Sequence, residues 1–327
     1  MTAHYLKATV LSLSFAFAAG AAQAEDWVCS GYMPSVQHPS IVNLQAIADE
    51  VKKLSGDQVE MTCRTGGELS IAPAELTTAV ADGLVQLGAS PFITGTVPIT
   101  GLFALPGLFR TEEDVQKGLS IAEPYFGAEF AKKGLVYLGT YHYPRQVLFS
   151  TGEIDDLGDI KGKKYRISSG EQAEFITRFG GTPVTIATPD VPQALQMGTI
   201  DGVLTASSGG ARYWTETLKS NYDIGTNYTL AVIFMNEDAF DTLGEDGQKS
   251  LRDFVQARLQ PTTKVIADEN VTFREQFRKD GMKITEASEA DEALIVSTLE
   301  SYWPQWAKER GPEAEKLLGE IRAALGR

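Results

Sequence analysis

The sequence predicts a two-lobed α/β protein, and three observations predict it. Strand-like and helix-like runs alternate through the first ninety residues, the pattern of a mostly parallel sheet covered by helices. The same order returns between residues 164 and 206. The segments "PAELTTAVADGLVQLGAS" (73–90) and "PDVPQALQMGTIDGVLTA" (189–206) match as proline, short amphipathic helix, glycine stop and buried strand. Finally, the chain from Gly247 to Lys279 has almost no helix breaker except Pro261, so one helix is long enough to lie across both lobes.

The elements follow in order. "DWVCSGYM" (26–33) reads as a strand. After His38-Pro39, Ile41, Leu44, Ile47, Ala48, Val51 and Leu54 recur at helical spacing, and Gly56 stops the run. "QVEMTCR" (58–64) alternates like a strand. A helix opens at Pro73, a favoured first-turn residue, runs to Gly83, and gives way to the strand "LVQLGAS" (84–90). In the second unit "KYRIS" (164–168) is a strand. The helix "SGEQAEFITRF" (169–179) follows, with Ser169 and Gln172 spaced as a capping box. "PVTIA" (183–187) and "IDGVLTA" (200–206) are strands around a helix that starts at Thr188-Pro189 and stops at Gly198. "YTLAVIFMN" (228–236) is an apolar strand. The long helix should span about 45 Å and kink at Pro261, and two or three shorter helices fill Ser288 to Leu325.

The start of the chain predicts export. Lys7 precedes the apolar run Ala8–Ala22, which has signal-peptide length, and Ala22-Gln23-Ala24 is a small-x-small cleavage pattern. The expected mature chain begins at Glu25, has about 303 residues and is periplasmic; Cys29 lies too far from the cut to carry a lipid anchor. The full chain has 29 basic and 43 acidic residues, for a net charge of −14, and losing Lys7 makes it −15. That balance argues against nucleic acid and anionic membranes as partners, but not against a small anion held in a local field. Cys29 and Cys63 both fall in strand-like runs. Export permits a disulfide between them, and two buried small hydrophobes is the other reading.

Motifs for chemistry are scarce. There is no G-x-S-x-G elbow, GxGxxG or Walker A loop, and the three histidines lack clustered metal-ligand spacing, so no metal or cofactor is expected. The acidic residues have the spacing of solvated helix faces rather than of an acid–base pair. Positive charge does collect at one strand-to-helix corner, "DLGDIKGKKYRISSGEQAEF" (156–175). Lys161, Lys163 and Lys164 read as a solvated turn. Arg166 sits where a parallel strand ends, the place where α/β folds hold ligands, and its planar fork suits a carboxylate. Ser168 ends the same strand, and Arg145 in "YHYPRQVLFS" is a second candidate for the same cleft.

Several segments together resemble the solute-binding proteins of tripartite ATP-independent periplasmic (TRAP) transporters. They are "GGELS", "ELTTAVADGLVQLG", "FALPGLF", "DLGDIKGKKYRI", "FGGTPVTIATPDVPQALQMGTIDGV" and "YTLAVIFMNEDAFDTL", with most specificity between Asp156 and Gly202. The resemblance implies a periplasmic binding protein of type II-like architecture, its lobes joined by crossing strands and a long helix. It implies that Arg166 pairs with a ligand carboxylate and that Arg145 is a second contact. After "DG" this chain reads "VLTASSGGARYW", where many members place a polar residue such as Asn, so Thr205, Ser207 or Ser208 is expected in that role. Trp214, spaced helically with Leu218, reads as core. First-lobe walls are expected from Tyr32, Gln37 and His38, from Glu68, and from Ser90 and Phe92, all chosen by strand-end position. The expected division is 1–24 leader, 25–143 plus 232–270 first lobe, and 144–231 plus 271–327 second lobe. The expected partners of this monomer are a small organic acid and a TRAP permease. The alternatives are a receptor for an ABC importer or a sensor, and an exported enzyme acting on a carboxylate.

Overall fold

The computed structural model describes residues 24–327, so the expected leader falls almost wholly outside the described residues. From the N-terminus the chain forms β1 (Glu25–Gly31), α1 (Pro39–Leu54), β2 (Val59–Arg64), α2 (Leu76–Ala81) and β3 (Leu87–Ser90). A 3-10 helix at Pro98–Ala104, α3 (Glu112–Ala131) and β4 (Leu135–Tyr143) complete this stretch. The second stretch is β5 (Val147–Ser150), β6 (Lys164–Ile167), α4 (Gly170–Arg178), β7 (Thr182–Thr185), α5 (Val191–Gln196), β8 (Gly202–Thr205) and β9 (Ser220–Asp223). It is followed by β10 (Thr229–Asn236), α6 (Glu237–Asp241), α7 (Gly244–Lys279) and β11 (Lys283–Glu286). The chain ends in α8 (Glu289–Leu299), α9 (Tyr302–Arg310) and α10 (Pro312–Leu325).

Two sheets result, one per lobe. The first has the order β2-β1-β3-β10-β4, with β1 parallel to β2 and β3, and β10 antiparallel to both of its neighbours. The second has the order β11-β9-β5-β8-β6-β7, with β6 parallel to β7 and β8. Besides passing along α7 and from α8 to α9, the chain crosses between them through two ordered strand connections, from β4 to β5 and from β9 to β10. These crossings bond to each other: Gln146 N donates to Asn227 O at 2.7 Å, and Thr226 N donates to Gln146 O at 2.9 Å.

Local chemistry explains the elements. On α1 the helically spaced Ile41, Leu44, Ile47, Ala48 and Val51 are all buried, and His38 caps the helix by accepting from Ser40 N. Ser169 caps α4 by accepting from Gln172 N, but the reciprocal bond differs from the expected box, since Gln172 Oε1 takes the Ser168 N–H instead. α7 runs uninterrupted through Pro261 for 36 residues, about 54 Å. Its Leu251, Val255, Leu259 and Ile266 enter the first-lobe core, whereas Phe277 packs with Phe149 and Met282 in the second.

The C-terminal packing differs from the expected division. The end of α7 and β11 follow the second lobe as expected, but of the three last helices only α8 does, through Ile295 and Leu299. α9 and α10 return to the first lobe, where Trp303, Trp306, Leu317 and Ile321 join Phe103, Phe126 and Phe130. The apolar "FALPGLF" segment and α3 need a cover that the first sheet does not supply. The Trp303 indole anchors it by donating to Pro106 O at 3.1 Å. The first sheet also takes all of β10 from Thr229, three residues earlier than expected.

Cys29 and Cys63 form a disulfide. They are direct partners in the β1–β2 register, with Cα atoms 4.4 Å apart, so the parallel ladder presents them within bridging reach. The bridge joins residues 34 positions apart, a loop whose closure removes enough unfolded-state entropy to stabilise the protein by roughly 2–4 kcal/mol. The double variant Cys29→Ala/Cys63→Ala should lower the denaturant midpoint accordingly. An unchanged midpoint would show that the bridge contributes nothing.

Candidate functional site

The parallel strands of both sheets end at one narrow cavity between the lobes. Tyr32 and Met33 reach it just after β1, and Pro91 and Phe92 just after β3. From the second lobe come Arg166 and Ser168 at the end of β6, Thr188 after β7, and Thr205, Gly209 and Gly210 at the end of β8. Gln146 on the first crossing, together with Tyr143, Trp214 and Thr229, closes the walls. Convergence of strand carboxyl ends is where open α/β sheets bind ligands. Gly210 is required here, because a Cβ at that position would run into the Trp214 ring.

Arg166 dominates the electrostatics. Its side chain is only 4% exposed. Nε donates to Ile186 O at 3.0 Å, and one terminal nitrogen donates to Thr188 Oγ1 at 3.3 Å. The guanidinium lies 5.7 Å from the centre of the Trp214 ring and 6.0 Å from that of Phe92, within cation–π range. Burial pulls its pKa down to about 10, and no acidic neighbour opposes that shift. Arg166 therefore keeps its charge at neutral pH, inside the protein and without a counter-ion. Across the cavity, Tyr32 donates its hydroxyl to Tyr143, and burial holds the Tyr32 pKa well above the ordinary phenol range.

His38, one of the expected wall residues, has a different task. Its Nδ1 accepts from Ser40 N, which leaves the proton on Nε2 to donate across the cleft to Ser208 O at 3.3 Å. This neutral imidazole bonds first lobe to second. Burial lowers its pKa to about 4. A histidine depressed in the folded state binds fewer protons than the unfolded chain between about pH 6.5 and 4, so stability falls as pH drops through that window. The loss should approach 3 kcal/mol by order of magnitude. Replacing it as His38→Gln should flatten this part of the stability profile between pH 7 and 4.5. A profile with unchanged slope would refute the assignment.

Of the residues expected at the site, Arg166, Tyr32, Phe92, Ser168 and Thr205 line the cavity. Ser90 supports it by accepting from Phe92 N at 3.0 Å. Ser208 is held from the far side, where its N–H donates to Asn270 of α7 at 3.0 Å, and Ser207 is buried but not in the wall. Gln37 and Glu68 are exposed; Gln37 borders an outer groove along α1 and α7, and Glu68 accepts from Thr65 Oγ1 at 2.7 Å. Arg145 is the main correction. It lies at the interlobe crossing, not in the cavity, where its Nε donates to Gly225 O at 3.1 Å and a terminal nitrogen pairs with Glu292 at 3.3 Å. Gly225 is required by this contact, because a Cβ there would meet the guanidinium. Trp214, read as core, is both core and cavity wall. Of the further wall residues, Gln146 has no local signal in the sequence, whereas Thr188 opens a helix after a strand.

A larger groove of about 490 Å³ lies beside Arg145 on the outer side of the crossing strands, against about 40 Å³ of free space in the Arg166 cavity. Size favours the groove and chemistry favours the cavity. Both guanidinium groups in the groove already face acids: Arg145 with Glu292, and Arg274 with Asp223 and Glu286. Only the cavity holds an unanswered charge. No group of histidine, cysteine and acidic residues among the described residues is arranged to hold a metal ion.

Two α/β lobes, joined by crossing strands and closed over a cavity with one unpaired buried cation, define a two-lobed ligand-binding protein. Residues 30–309 match the family described as bacterial extracellular solute-binding protein, family 7 (DctP), and the chain belongs to that family. It also resembles solved structures over nearly its whole length. A marine-metagenome TRAP solute-binding protein specific for pyroglutamate is 23% identical, with a TM-score of 0.83 over 92% of this chain and 99% of the other. DctP7 of Bordetella pertussis, a receptor binding pyroglutamic acid, is 22% identical, with a TM-score of 0.84 over 91% and 100%. A TRAP periplasmic protein from Chromohalobacter salexigens, with bound D-glucuronate, is 19% identical, with a TM-score of 0.82 over 91% and 99%.

Proposed function

We propose that the protein is a periplasmic receptor that captures a small organic acid between its lobes and delivers it to a TRAP-type permease. The observation that carries this reading is Arg166, a buried guanidinium with no acidic partner. An isolated charge taken out of water is costly unless something pairs with it, and a ligand carboxylate is the natural partner for a planar fork. Structural relatives named for pyroglutamate and D-glucuronate, both carboxylates, support the ligand class. Arg166, Ser168, Thr205, Tyr32 and Phe92 are the proposed ligand contacts. The binding step consists of capture by separated lobes, neutralisation of the carboxylate by Arg166, and closure that brings His38 against Ser208. We assign no catalytic residue, since no histidine, carboxylate or lysine lines the cavity to activate the hydroxyls of Ser168 and Thr205.

The test is a thermal-shift screen of the purified protein against organic acids, followed by calorimetry and mass spectrometry of the bound acid. A ligand that binds only the folded form raises the midpoint by mass action. Saturable binding with intact acid recovered supports a receptor. Conversion of the acid during incubation would establish the exported-enzyme alternative instead.

A further inference from the structure

The run Ser207-Ser208-Gly209-Gly210 lies just after β8 and puts both of its glycines in the cavity wall, ahead of Trp214. Two adjacent glycines behind two small hydroxyl residues have high backbone freedom, so holding this wall in one shape is costly in entropy. The fastening comes from α7. Ser208 N donates to Asn270 Oδ1 at 3.0 Å, and the Ser208 hydroxyl reaches the same oxygen at 3.4 Å. Four residues on, Arg212 pairs with Glu269 at 2.7 Å and lies over the Phe273 ring at 4.0 Å. The carbonyl of Ser208 turns the other way and accepts from His38 of the first lobe at 3.3 Å. Asn270 stands on α7 between Ile266, in the first-lobe core, and Phe277, in the second. None of Asn270, Glu269 and Arg212 lines the cavity.

We propose that Asn270 is a positioning residue for ligand binding, a role that rests on the receptor reading above. By accepting from Ser208 N it holds residues 207–210 in the conformation that places Gly209 and Gly210 in the wall. The same bond sets the Ser208 carbonyl where His38 meets it when the lobes close. A loop fastened from behind needs no further ordering by the ligand, and that saving appears as affinity. Asn270 therefore sets affinity without touching the ligand.

The experiment compares Asn270→Ala, which removes the acceptor, with Asn270→Asp, which keeps it, in the intact protein. In ligand-free hydrogen exchange, peptides covering residues 207–214 should exchange about threefold to tenfold faster in Asn270→Ala, the effect of one lost hydrogen bond. Peptides of the first sheet should be unchanged. Calorimetry uses the tightest acid among pyruvate, pyroglutamate, orotate and D-glucuronate. The dissociation constant should rise by the same factor in Asn270→Ala and stay within about twofold of native in Asn270→Asp. Combined with His38→Ala, Asn270→Ala should weaken binding by less than the product of the separate factors, because both act on the Ser208 segment. Native affinity in Asn270→Ala would overturn the proposal and leave the receptor reading intact. So would an equal loss in Asn270→Asp, or factors that simply multiply. Failure of the native protein to bind any organic acid would overturn the receptor reading and this role together.

Discussion

Arg166→Ala should weaken binding of the cognate acid by about tenfold to a hundredfold and reduce ligand-induced stabilisation accordingly. A hydrogen bond to a charged group contributes roughly 1.5–3 kcal/mol, which sets that range. The ligand-free protein should respond differently. Burial lowers the Arg166 pKa to about 10 with no acid opposing it, so the folded state disfavours this charge relative to the unfolded chain. Arg166→Met, which keeps the apolar stem against Trp214 and Phe92 but discards the charge, should therefore leave the ligand-free unfolding midpoint unchanged or raised. Arg166→Lys retains charge without the planar fork and should bind with intermediate affinity. Calorimetry on the three variants separates these effects, and native affinity in Arg166→Ala would remove Arg166 from the site.

Arg310→Ala should be strongly destabilising although it lies away from the cavity. Glu171 is fully buried in the first turn of α4, and its Oε1 accepts from the Trp306 indole at 2.7 Å and from Arg310 at 2.9 Å. Its Oε2 is buried without a partner, so the ion pair already carries most of the charge. Removing the cation leaves a buried carboxylate on one indole bond, which costs roughly 3–5 kcal/mol. The lower end is expected, because the Arg310 side chain is 20% exposed and water can reach the gap. Adding Glu171→Gln to Arg310→Ala should recover much of the loss, since it removes the stranded charge. A denaturant double-mutant cycle checks both statements, and a loss below about 0.5 kcal/mol in Arg310→Ala would contradict them.

What sequence revealed and what it hid follow from the range of the interactions. Arg166 was legible because its environment is local: a strand ending, a helix beginning, and a lysine turn beside it. Arg145 was misplaced because its partners are distant, Gly225 on the other crossing and Glu292 on α8. The β-α-β order is visible from periodicity, but α3 is not, since Gly118, Pro124 and Gly127 interrupt its signal. Gly118 has a packing reason that only the fold shows, because a Cβ there would enter the Phe109 ring, which stacks on Phe103 at 4.4 Å between centroids. The return of α9 and α10 to the first lobe was hidden for the same cause. Their apolar faces announce burial without saying against what.

The position of β10 sets the order in which the protein can be built. It occupies the interior of the first sheet, between β3 and β4, yet it is encoded after the whole second sheet except β11. A chain ending at Tyr143 holds four strands of that sheet with a gap where their ladder should close, so the N-terminal half cannot complete its core during synthesis. Formation of the first lobe must wait until residue 236 is available, and the loop closed by that insertion runs through the entire second unit. Such non-local pairing slows folding, and until it forms the outer edge of β3 and all of β4 stay without a partner strand.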